Sequence, residues 1–109
     1  MSKREWKLFI EDILESIALI EKYIRKMDFN KFSKDRKTID AVVRNLEIIG
    51  EASKYIPGNI KQKYKEIDWA GVVGLRNRIA HEYFGISAEI VWNIITKELT
   101  ILKEQLKKI

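Results

Sequence analysis

Trp6, Ile10, Ile13, Ile17, Ile20, Ile24 and Met27 recur at alternating spacings of four and three, the period of an α-helix with one buried face. This first helix is expected to end near "MDFNKFS". Ser33 stands where an N-cap would open a second helix from about Lys34 to Ile56, and Asp35 in its first turn suits the helix dipole. Ile39, Val42, Val43, Leu46 and Ile49 line one face of that helix, while Ala41, Ile48, Ala52 and Tyr55 line another. Two apolar faces predict contacts on two sides. Pro57 and Gly58 stop it. "NIKQKYKE" is expected to form one or two turns opened by Asn59, and Asp68 to cap "WAGVVGLRNRIAHEY", which runs out at Gly85. Ser87 then opens a last helix with Val91, Ile95, Leu99, Leu102, Leu106 and Ile109 facing inward.

No stretch alternates as a strand would. The expected fold is therefore all-α: one domain over residues 1–109, an up-and-down bundle of four main helices plus one short helix, joined by short connections. The first and last helices carry the longest seams and are expected to pair. Hydrophobic residues make up 46% and charged residues 34% of the 109, with a single proline, which fits a globular chain and not a disordered one.

Cysteine is absent and histidine occurs once. Disulfides and thiolate metal sites are excluded, and neither a metal nor another cofactor is expected. The net charge of +5 favours anionic partners such as nucleic acid. No apolar run approaches the roughly 20 residues of a membrane span, and "MSKREWKLFIED" mixes both charges too early for a secretory signal. A cytoplasmic protein without a membrane partner is the expectation.

The single histidine lies in "GLRNRIAHEYFGIS". If Trp69–Tyr83 is one continuous helix, Arg76 falls in the middle of an apolar stripe with Trp69, Val72, Val73, Ile79 and Ala80, and Arg78 on the solvent side. A guanidinium among apolar neighbours costs several kcal/mol unless it is paired or opens onto a cleft. Two readings follow, a buried ion pair to Glu47 or Glu51, or a functional pocket. Asn77 and His81 stack one turn apart at the border of the stripe, and Tyr83 returns to the Arg76 face. His81 and Tyr83 each have an ordinary structural reading as well. Together, an always-charged guanidinium, an amide, an imidazole that titrates near neutral pH and a phenol suit a phosphodiester substrate. On the second helix, Asn45 falls between the two apolar stripes and must be hydrogen-bonded, either as a clip to a loop or as a group supporting the pocket. Asp40, Arg44, Glu47 and Glu51 read as an intrahelical charge ladder.

"RNRIAHEYF" resembles the R-N-x-x-x-H-x-Y signature of the HepT-like branch of the HEPN superfamily, and "DRKTIDAVVRNLEIIGEASKYIP" is similar to that branch's second helix. The resemblance covers nearly the whole chain. It implies the toxin of a toxin–antitoxin pair, a metal-independent endoribonuclease acting as a homodimer on RNA, transfer RNA among the candidate targets. Matched by position, Arg76 and His81 take the catalytic roles, Asn77 is their polar neighbour, and Tyr83 is the tyrosine to which a nucleotidyltransferase antitoxin adds AMP. ATP is then used by the partner and not by this chain. Two alternatives stay open: a non-catalytic subunit presenting nucleotide or substrate to a nucleotidyltransferase, and a plain helical dimerisation module.

Overall fold

The computed structural model describes residues 5–83 and 88–109, and residues 80–83 by their backbone alone. Every regular element among these residues is helical. In chain order they are α1 (Trp6–Tyr23), α2 (Phe29–Ser33), α3 (Arg36–Lys54), α4 (Gly58–Lys63), α5 (Trp69–Val73), α6 (Leu75–Tyr83), α7 (Ala88–Asn93), a π-helical turn (Ile94–Glu98) and α8 (Leu99–Leu106).

The caps show why the chain breaks where it does. Asp28 opens α2, its side chain accepting from the Lys31 N–H. Asp35, not Ser33, caps α3, because its carboxylate accepts both the Thr38 N–H at 3.1 Å and the Thr38 hydroxyl at 2.8 Å. Those two bonds, the backbone one foremost, hold the Asp35 carboxyl below its usual range. Ser33 belongs instead to the end of α2, donating to the Asn30 carbonyl. Asp68 caps α5 as expected, accepting from Gly71 N–H. Asn59 lies inside α4, which Pro57 precedes without a side-chain cap. Gly85 and Ser87 lie outside the described residues.

One hydrophobic cluster joins these elements, with Ile13, Ile17 and Ile20 of α1, Phe32 of α2, and Val42, Leu46 and Ile49 of α3 fully buried in it. The principal helix pair is α1 with α3. The first helix also touches α8, where Lys103 bonds Glu21 at 3.1 Å, but that is a minor contact and not the main pairing expected. The seams of α1 and α8 were correctly read as inward; periodicity marks a buried face without naming what covers it. As the two stripes of α3 predict, this helix is contacted on two sides, by α1 and by α5 and α6.

Two departures from regular helix shape the rest. The single helix expected over residues 69–83 is divided at Gly74. The last helix contains the π-helical turn, and Asn93 and Leu99 on either side keep right-handed helical backbone, so α7 and α8 form one rod. Among the described residues no helix is long and apolar enough to cross a membrane.

Candidate active site

The buried face of α6 decides where the motif residues sit. Leu75 and Ile79, one turn apart at the start of α6, are its buried pair, 3% and 2% exposed. At about 100° per residue, Arg76 and Arg78 fall roughly 80° to either side of that buried face. The two arginines therefore flank the stripe. Arg76 does not lie in its middle, because the buried face of α6 runs through Leu75 and Ile79.

Arg76 is exposed and opens onto a cleft of about 380 Å³ between α1, α3 and α6. Glu47 and Glu51 line the same cleft, yet among the described residues neither forms an ion pair with Arg76. Both readings presupposed a buried guanidinium; the exposure of Arg76 removes that premise, and the ion pair to Glu47 or Glu51 does not form. Gly50 brings α3 against the motif segment: a Cβ at that position would lie 3.3 Å from the Val72 carbonyl oxygen and 3.6 Å from the Arg76 nitrogen. A side chain there would push the backbone carrying Arg76 outward.

Arg78 is not simply solvated. Its guanidinium donates two bonds of 3.0 Å to the carboxylate of Glu98 in the π-helical turn, a bidentate pair whose side chains stay 39% and 44% exposed. That pair ties α6 to the last rod, from the side opposite Arg76. It borders a second, more apolar groove of about 460 Å³ that includes Leu75, Ile94 and Leu102.

Asn77 is exposed on α6. His81 follows it by one turn in the same helix, and Tyr83 is the last residue of α6; their side chains lie outside the described residues. Asn45 is buried, 6% exposed, and donates from Nδ2 to the Ala41 carbonyl at 3.0 Å. That bond stays within α3, and Asn45 is not among the residues lining the Arg76 cleft. The structure thus brings Arg76 together with residues that the motif does not include: Asp12 and Phe9 of α1, and Arg44 and Tyr55 from α3 and its C-cap. Arg44 was legible as part of a charge ladder. No two of Asp40, Arg44, Glu47 and Glu51 pair with each other among the described residues; Asp40 pairs with Arg36 at 3.1 Å and Glu51 with Lys54 at 3.4 Å, and Arg44 faces the cleft.

An exposed arginine on a cleft does not by itself name a reaction; the chain's relatives narrow the chemistry. A family model described as "Ribonuclease HepT-like" matches residues 13–109. The chain belongs to the HepT-like ribonuclease family. Among its relatives, a "Probable ribonuclease HepT" of Thermococcus cleftensis is 41% identical over 107 residues, covering 98% of this chain and 97% of that protein. A "Putative RNase" of Methanocaldococcus jannaschii is 39% identical with 98% of both chains covered. Another of that name, from Caldanaerobacter subterraneus, is 37% identical over 93% of this chain and 90% of its own length. No solved structure gives a significant match. Family membership agrees with the resemblance carried by the R-N-x-x-x-H-x-Y motif, here wholly within one short helix.

Proposed function

We propose that this protein is a metal-independent endoribonuclease, the toxin of a toxin–antitoxin pair, with Arg76 and His81 as its catalytic residues. The observation that carries the reading is Arg76: in a chain of a ribonuclease family, the motif arginine is exposed on a cleft and, among the described residues, makes no ion pair with the carboxylates that line it. Such a guanidinium is available to a phosphate. Asn77 is the polar neighbour of the pair, and Asn45, bonded to the Ala41 carbonyl within α3, stays outside the cleft.

In the proposed reaction the RNA 2′-oxygen attacks the adjacent phosphorus as a base removes its proton. The bond from phosphorus to the 5′-oxygen breaks, and an acid protonates that oxygen, leaving a 2′,3′-cyclic phosphate and a 5′-hydroxyl. One base and one acid are needed, and the chain has one histidine. A homodimer would supply a second His81 and a second Arg76 across its twofold, the arginines stabilising the charge that grows on the phosphoryl oxygens. Single-stranded RNA suits in-line attack better than a duplex, whose backbone is restrained. Tyr83 lies seven residues after Arg76, about two turns or roughly 10 Å of helix rise away. AMP added there by a nucleotidyltransferase antitoxin, at the expense of the partner's ATP, would bring bulk and negative charge to an anion site and silence it.

The test is purified wild type, made without a partner, incubated with total and transfer RNA in EDTA beside His81→Ala. Cleavage leaving cyclic phosphate ends, lost in the variant, is the expected result. No cleavage by wild type that is folded and dimeric would overturn it and leave a binding subunit as the better account.

A further inference from the structure

The cleft beside Arg76 holds more than a catalytic arginine needs. Phe9 and Tyr55 stack on its wall with ring centroids 5.2 Å apart and planes 20° from parallel, and Tyr55 is still 58% exposed. An exposed tyrosine alone is ordinary. Here one ring is braced from behind by a second, at the rim of a cleft that also holds Arg44 and Arg76. Arg44 is exposed and, like Arg76, makes no ion pair among the described residues.

The order of these groups along α3 is informative. Gly50 lies against the Arg76 backbone. From that level Arg44 is six residues toward the helix start, about 9 Å, and Tyr55 is five residues toward its end, about 7.5 Å. Asp12, Glu47 and Glu51 also line the cleft. A phosphate lying along its whole length would meet repulsion from these carboxylates, whereas a neutral base would not. Carboxylate oxygens can also accept from the exocyclic amino groups that adenine, cytosine and guanine carry. The cations and the aromatic pair therefore call for different parts of one ligand. A nucleotide strand has both, and stacking of unpaired bases on aromatic rings is how single strands are held without regard to sequence.

We propose that Tyr55, braced by Phe9, is a stacking platform for one unpaired base of the RNA, with Arg44 holding a phosphate at the far end of the same cleft. This rests on the ribonuclease reading above and adds the substrate-binding surface that the motif lacks. A base seated on Tyr55 would fix the strand relative to Arg76.

The experiment compares wild type, Tyr55→Ala, Tyr55→Trp and Arg44→Ala. Each is checked for helical content and for sedimentation as the same species. Binding is read by anisotropy with a labelled 2′-O-methyl oligonucleotide, which has no free 2′-hydroxyl and cannot be cut, and kcat and KM are read with the cleavable RNA. Tyr55→Ala is expected to weaken binding and raise KM by roughly 5- to 150-fold, the range for loss of one stacked base, with kcat near wild type and the slope of affinity against salt unchanged. Tyr55→Trp should recover the loss. Arg44→Ala should make the salt slope shallower by about one. If wild type cleaves and Tyr55→Ala keeps its KM, the platform is overturned while the ribonuclease reading stands. If Tyr55→Ala changes the sedimenting species, the stack belongs to a protein interface and the inference is equally overturned. Silence of the wild type itself would remove the ribonuclease reading first, and is distinguished by that.

Discussion

The α1–α3 pair and the α5–α6 arm share one cleft but are built differently. The pair consists of uninterrupted helices of 18 and 19 residues whose facing side chains, Ile13, Ile17, Val42, Leu46 and Ile49 among them, are 0–1% exposed. The arm is two short helices divided at Gly74, held by Trp69, Leu75 and Ile79, with all the rest of α6 but Ala80 polar. The pair supplies the most deeply buried core and most of the cleft wall, and the arm carries the motif residues. A short, polar helix cannot fix its own orientation, so the pair does it for the arm, through the close approach at Gly50, and the last rod does it from the other side through Glu98.

The comparison breaks most visibly at Leu46. Leu46→Ala in the fully buried centre of the pair is expected to cost about 2–5 kcal/mol in denaturant unfolding, while the protein that remains folded keeps its kcat. Gly50→Val probes the join between the two regions. Overpacking should cost about 1–3 kcal/mol, and the displacement of the Arg76 backbone should lower kcat out of proportion to the fraction unfolded. A loss of activity that merely tracked unfolding would show that the close approach is packing only. Glu98→Gln is gentler: the pair with Arg78 is partly exposed, so its stability effect should stay within about 1 kcal/mol, with a larger proportional effect on cleavage if the pair orients α6.

The smallest effect belongs to Asp35, at a helix start remote from the arm. Its carboxyl is held below the ordinary value in the folded chain by the Thr38 bonds. A folded-state pKa below the unfolded one gives a contribution that is full above the unfolded carboxylate value, about 4, and lost as pH falls through the lower folded value. Asp35→Ala should therefore lower the thermal midpoint slightly at pH 7, and its difference from wild type should vanish in acid. A difference persisting at the lowest pH would point to packing instead of charge.

The pair was legible and the arm only in part, for physical reasons visible in particular residues. Ile13, Ile17, Val42 and Leu46 announce themselves because burial of a helical face imposes a period, and they are buried as read. At the next cap Ser33 was read as the N-cap and Asp35 as a first-turn acid, whereas it is the Asp35 carboxylate that takes the Thr38 N–H and hydroxyl, a difference periodicity does not register. Gly74 misled differently. Its backbone stays right-handed, φ −79° and ψ 0°, so the division leaves no mark in the spacing, and the stripe read from Trp69 passed over Leu75, whose burial puts Arg76 at the edge. The motif itself stood out from its residue types, whereas Phe9, Arg44 and Tyr55 come from segments distant in sequence and share a cleft only after folding.

The π-helical turn carries a consequence for how this chain can change length. Val91, Ile95 and Leu99 are buried at successive intervals of four, and eight residues at about 100° each overshoot two full circles by roughly 80°. The widened turn absorbs that surplus, keeping α7 and α8 in phase on the core. A codon lost between positions 94 and 98 would leave seven residues, within roughly 20° of two circles, and the rod could close as plain α-helix with both inward stripes still aligned. The same loss inside α8 would swing everything beyond it by about 100°. Indels in this rod are therefore expected to be tolerated at one point, beside the residue that clasps Arg78, and selected against elsewhere.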